Sequence, residues 1–188
     1  MTIDNFHEEV ATKRNRGVQT LMYMASNVMM VVLALYGVMQ ISALPYLFTD
    51  GSIDIVSKIV YTVYSLVFAG MAVILYLFRD RIRTEYEYTF TNGQMDFAQV
   101  FNNKRRKNLG TMNIRNVEAC GLVSSGSFQR YINMQGIKRT NWFLNREAEL
   151  LYFFFQKDNQ KRIIIIEPSE EMISMIKKSL PQGVWQNN

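Results

Sequence analysis

The chain has little of the chemistry that most enzymes need. Among 188 residues there is one cysteine, Cys120, and one histidine, His7. A lone cysteine excludes an internal disulfide, and a zinc cage of His and Cys needs about four ligands. A Cys–His nucleophilic pair would have to join His7, ahead of the first apolar run, to Cys120 in a segment that reads as a strand, where the thiol behaves as a small apolar group. Gly110, Gly121 and Gly126 fall in no phosphate-cradling spacing, and no Gly-Lys-Ser/Thr follows them. Glu170 and Glu171 are neighbours on a helix and point in different directions, so they make a poor acid–base pair and a good helix start. The expectation is a non-enzymatic protein with no catalytic residues, no metal and no cofactor.

Charge is missing from two long stretches. No Asp, Glu, Lys or Arg occurs in the 33 residues from Gly17 to Thr49, nor in the 20 from Ile59 to Phe78. Apolar runs of about 18 or more read as membrane spans. The expected helices cover about 18–41 and 57–78, within a membrane segment 17–78. The first would extend ~36 Å at ~1.5 Å per residue, enough for a ~30 Å hydrocarbon core with some tilt. Pro45 and Asp50-Gly51 suit a short turn between them. Tyr46, Phe48, Tyr76 and Phe78 suit the headgroup level. A signal peptide is the competing reading of the first run, but the run is too long for a signal core and a second span follows. Lys13, Arg14 and Arg16 flank the pair on one side and Arg79, Arg81 and Arg83 on the other, with only Lys58 in the loop. The excess of positive residues places both termini in the cytoplasm of an inner, plasma-membrane protein.

Residues 1–16 have no net charge. Ile3, Phe6 and Val10 fall at helical spacing, and Asn5 with Glu8 suits a capping box, so this segment reads either as an amphipathic cytoplasmic helix or as a frayed tail. Residues 84–188 carry a net charge of +4 and suffice for one small core. Glu85, Glu87 and Thr89 alternate with Tyr86, Tyr88 and Phe90, a half-buried strand. Asn92-Gly93 then turns the chain into a second strand through Met95, Phe97 and Phe101. A basic loop, 102–108, precedes short strands around Leu109–Ile114 and Val117–Val123. Residues 124–147 give no clear period. Leu150–Phe155 and Ile163–Ile166 read as a hairpin buried on both faces. Ser169 suits an N-cap, and Met172, Ile173, Ile176 and Leu180 share a helix face ended by Pro181 and Gly183.

This order of elements, with the stretch Glu167-Pro168-Ser169-Glu170-Glu171-Met172, resembles a bacterial pleckstrin-homology-like (PH-like) domain. The whole chain resembles a family of small bacterial two-span membrane proteins carrying such a domain. The fold class implied is a membrane α-helical hairpin plus an α+β domain, a small antiparallel β-barrel or sandwich capped by a C-terminal helix. Phosphoinositide-binding relatives in eukaryotes carry Lys and Arg around the first hairpin turn. Asn92-Gly93 lacks them, which argues against specific phosphoinositide recognition.

Three basic groups remain: Arg79, Arg81 and Arg83; Lys104, Arg105, Arg106 and Lys107; and Lys157, Lys161 and Arg162. The first two are candidate lipid-facing residues, at about 1 kcal/mol per cation near an anionic surface. Topology signal and solvated loops are the alternative account. Inside the spans Asn27, Ser65, Ala69 and Ala72 are candidate interhelical contacts. The expected partners are the lipid bilayer and a protein, with a second copy of the chain among the candidates, and not nucleic acid. The favoured function is a membrane-anchored interaction or scaffold protein. An anionic-lipid or envelope-stress sensing module, and a small transport-accessory subunit, are the alternatives.

Overall fold

The computed structural model describes residues 5–187. The chain divides into two units. One joins the described residues up to Arg14 to those from Thr84 onward; the other is Asn15–Arg83.

The second unit is helical. α1 (Arg16–Ser42) starts at Asn15, whose side chain accepts the Val18 N–H at 3.2 Å. α2 (Leu44–Thr49) follows after one residue, with Pro45 in its first turn. Pro45 therefore opens a helix rather than a turn, at the position where its missing N–H costs nothing. The reversal falls on 50–53, where Asp50 accepts from the Ser52 N–H and hydroxyl at 2.8 and 2.6 Å. Asp54 then caps α3 (Ile55–Phe78) through the Ser57 N–H at 3.0 Å. A short 3₁₀ turn, Arg79–Ile82, ends the unit. Arg16–Thr49 and Ile55–Ile82 are long and apolar enough to cross a membrane, with mean hydropathies of 1.9 and 2.0. Only 11% of each most apolar window is buried. A core helix of a soluble protein would bury most of that surface.

The first unit packs two sheets. The first sheet has the order β1 (Phe6–Ala11), β2 (Thr84–Thr91), β3 (Gln94–Phe101), β4 (Arg105–Asn113), antiparallel throughout. The second contains β5 (Ala119–Leu122), β6 (Lys138–Trp142), β7 (Leu151–Lys157), β8 (Gln160–Ile166) and β9 (Trp185–Gln186), in the order β6-β8-β7-β5-β9. Tyr88, Phe90, Met95, Phe97 and Met112 of the first sheet meet Leu151, Phe153, Ile164 and Ile166 of the second. α5 (Glu170–Ser179) contributes Met172 and Ile176 to the same core. On the far side of the second sheet, Tyr152, Phe154, Ile163 and Ile165 pack with Phe128 of α4 (Gly126–Ile132). β7 and β8 are therefore buried on both faces, as their unbroken apolar runs imply. Asn92 and Gly93 both adopt positive φ, 50° and 88°, the conformation of the tight hairpin turn that this dipeptide favours.

Several expectations change. The sandwich forms but does not close into a barrel, and two pairings of the second sheet, β6–β8 and β5–β9, are parallel. Residues 102–108 are not a loop: Asn102 and Asn103 make a tight turn with φ of 52° and 53°, and Arg105 begins β4. Residues 124–147 supply α4 and β6. The N-terminal segment is neither a helix nor a tail, since β1 pairs with β2 along its whole length, from Phe6 opposite Thr91 to Ala11 opposite Tyr86. A spacing of four puts Phe6 and Val10 on one face of a strand as readily as of a helix. Asn5 does not cap a helix; its N–H meets the Asn92 side chain at 3.1 Å, and its carbonyl accepts the Asn92 N–H at 3.0 Å. Ile3 lies outside the described residues. The hairpin unit is thus inserted between adjacent strands of one sheet. Asn92-Gly93 consequently joins the second and third strands, so the comparison with basic first turns falls on a different turn.

Candidate functional site

A dense polar arrangement lies where β1 leaves the sheet. Glu167, the residue after β8, accepts the Leu144 N–H at 3.1 Å, the Asn145 N–H at 2.9 Å and the Asn145 side-chain amide at 2.6 Å. The same amide donates to the Thr12 carbonyl at 2.9 Å, and Asn145 Oδ1 accepts the Arg14 N–H at 2.9 Å. The Ser169 N–H reaches both oxygens of Glu9 at 3.0 and 3.1 Å. Tyr88, fully buried, donates its hydroxyl to the Trp142 carbonyl and accepts the Glu167 N–H at 3.3 Å. Burial pushes the Tyr88 hydroxyl well above the ordinary tyrosine range, so it stays a neutral donor. A cavity of about 530 Å³ beside this knot is lined by Glu9, Arg14, Asn145, Glu149, Glu167 and Glu170 among others. The Glu9 and Glu167 carboxylates are held by backbone and amide donors, so the knot fixes three chain segments to one another. The run from Glu167 to Met172 carries the family resemblance and a helix start, and nothing in the sequence singles out Asn145 as its partner, because an asparagine in an unpatterned loop carries no periodic signal.

The three arginines after α3 are each set against an aromatic ring. Arg79, Arg81 and Arg83 lie 5.0, 4.5 and 4.3 Å from the ring centroids of Tyr76, Phe78 and Tyr23. Such a stack keeps the charge while covering part of it with an apolar face. Arg79 also donates to Asn27 Oδ1 at 2.5 Å, and the Asn27 amide donates to the Tyr23 carbonyl at 2.7 Å. Asn27 is thereby tied to the end of α3.

The second basic group is split by the strand pleat. Lys104 closes the turn through its N–H to the Phe101 carbonyl at 3.0 Å, and Arg105, Arg106 and Lys107 are exposed on the edge strand β4. Arg106 faces away from the core and donates Nε to Glu87 at 2.6 Å. Lys107 sits opposite Gln99 on the other face. The group therefore forms no single cationic patch.

Ser65, Ala69 and Ala72 form a small-residue face of α3. A Cβ built on Gly37 would stand 3.1 Å from the Ala69 backbone nitrogen, so the two helices approach to backbone contact at this pair. Ser65 is fully buried and returns its hydroxyl to the Tyr61 carbonyl at 2.8 Å. Tyr61 also donates to Gln40, whose amide reaches the Tyr36 hydroxyl at 2.7 Å. Gly37 and Tyr61, which share this seam, carry no signal of their own in the sequence. Among the described residues no group of three or more His, Cys, Asp or Glu is placed to hold a metal ion.

The family description "Bacterial PH-like domain (DUF6106)" matches residues 3–186, and the chain belongs to that family. No curated protein and no solved structure matches it.

Proposed function

We propose that this PH-like protein is a non-enzymatic, membrane-anchored interaction module. Its two long helices span the inner membrane as a hairpin, and both termini lie in the cytoplasm, where the domain presents itself to a protein partner. The observation that carries this reading is the pairing of β1 with β2. The segments before and after the hairpin are hydrogen-bonded neighbours in one sheet, so they share a side of any membrane that the hairpin crosses. The Lys and Arg count around the helix ends supports the cytoplasm as that side. The exposed outward face of β1 presents Phe6 and Val10, with Glu8 between them, to a partner.

Cysteine labelling tests the topology. Ser52→Cys in the short loop is expected to react with an impermeant thiol reagent in whole cells, and Gln182→Cys only after the membrane is opened. The reverse pattern overturns the topology. Photocrosslinking from positions 6 and 10 in living cells tests the docking role. A discrete adduct from these sites, absent when the crosslinker replaces Lys161, is the expected result. Identical patterns from all three sites remove the assignment of β1 as the docking strip.

A further inference from the structure

The two sheets do not close, and the gap at the β4 edge is a cavity of about 300 Å³. Its walls include Phe97, Leu109, Met112, Trp142, Phe155 and Ile164, with the Phe97 and Trp142 rings 4.9 Å apart. Among the described residues, Lys157 and Arg162 are the charged side chains that line it, and no carboxylate does. Arg162 reaches this position through the strand period. It alternates with Ile163 and shares the inter-sheet face of β8 with Ile164 and Ile166. An arginine on a core face is costly unless its donors are used. Here Nε is buried and has no hydrogen-bond partner, while Nη2 lies 3.6 Å from Asp158, which is itself mostly exposed.

We propose that this inter-sheet slot binds a small monocarboxylate with an apolar body, the chemistry of a short- or medium-chain fatty acid. The aromatic and aliphatic walls take the tail, and Arg162 with Lys157 takes the head. Asp158 offsets one of the two positive charges, which leaves the slot matched to a single negative charge. The volume lies at the low end of the roughly 300–1,000 Å³ usual for ligand pockets, which favours a small molecule over a docked helix. This site is separate from the β1 strip and does not depend on it.

The test uses the full chain in zwitterionic nanodiscs, with octanoate and its neutral isostere octanamide as probes and Trp142 fluorescence as the readout. Octanoate is expected to give a saturable change that Trp142→Phe abolishes. Octanamide should bind at least ~10-fold more weakly, the factor carried by about 1.4 kcal/mol. Arg162→Gln should weaken octanoate by a similar factor and Lys157→Gln by a smaller one, while Lys161→Gln, at the same turn, leaves it unchanged. Equal binding of acid and amide to the unaltered chain overturns the proposal whatever the variants do, as does the absence of saturation. A peptide ending in a free leucine carboxylate that binds where octanoate does not also overturns it, in favour of a protein terminus as the occupant.

Discussion

Cys120 lies in β5 with no exposed surface, and burial pushes its thiol well above the ordinary cysteine range. The sign of the consequence is fixed. The folded chain holds the proton more tightly than the unfolded one, so the contribution is fully present below the unfolded value near 9 and is lost as pH rises beyond it. Stability is expected to fall by about 1.4 kcal/mol per pH unit above that point, and Cys120→Ala should flatten this limb. Denaturation midpoints between pH 7 and 10 check it. In the same experiment Cys120 should resist maleimide at pH 8 until the chain is unfolded. Tyr88, Tyr86 and Tyr152, also raised by burial, add their own losses at higher pH. Single residues of this kind were legible in the sequence because an apolar neighbourhood announces burial. Asn145 was not, since its role depends on Thr12, Arg14 and Glu167, which lie far from it along the chain.

At the scale of elements, α5 shows how period and caps together fix a helix. Ser169 accepts the Met172 N–H at 3.2 Å, Glu170 and Glu171 occupy the first turn, and Lys177 and Lys178 the last. Each charge sits at the end of the helix dipole that favours it. Met172 and Ile176 are fully buried, whereas Ile173 is only half-buried, so the plug is narrower than the apolar spacing implies. Ile176→Asp buries an unpaired carboxylate and is expected to cost several kcal/mol, a large part of the roughly 5–15 of a typical domain. Ser174→Asp, on the exposed side, should leave the melt almost unchanged. Equal melting of the two variants would detach α5 from the core. The hairpins at Asn92-Gly93 and Asp158-Asn159 and the two long helices were equally legible, for each carries its own local signal. β6 was not: Lys138, Arg139, Thr140, Asn141 and Trp142 have no apolar alternation, and the strand exists because β8 offers it a parallel partner.

At the scale of the whole molecule, the first unit is assembled from two distant pieces of chain. Removing residues 5–11 is expected to leave the helical unit intact but strip β2 of six cross-strand pairs, each worth about 0.2–1 kcal/mol. It also deletes Glu9 from the Ser169 N–H. The denaturation midpoint of the full chain should drop, and backbone amides of Tyr86–Thr91 should exchange faster. Unchanged exchange there would show that β1 adds nothing to the sheet. This architecture was invisible to sequence reading because a strand of six residues next to a long apolar run gives no sign of a partner on the far side of that run.

That same insertion sets an order of events during synthesis. β1 leaves the ribosome first, yet Asn5 meets Asn92 only 87 residues later. At about 5–20 residues per second the strand waits for seconds with its edge unpaired. In the proposed topology the hairpin enters the bilayer during that interval, before β2 is made. The sheet can then close only when both helices cross or neither does. A nascent chain in which only one of the two helices crosses leaves β1 and β2 on opposite faces of the bilayer, and its sheet stays incomplete.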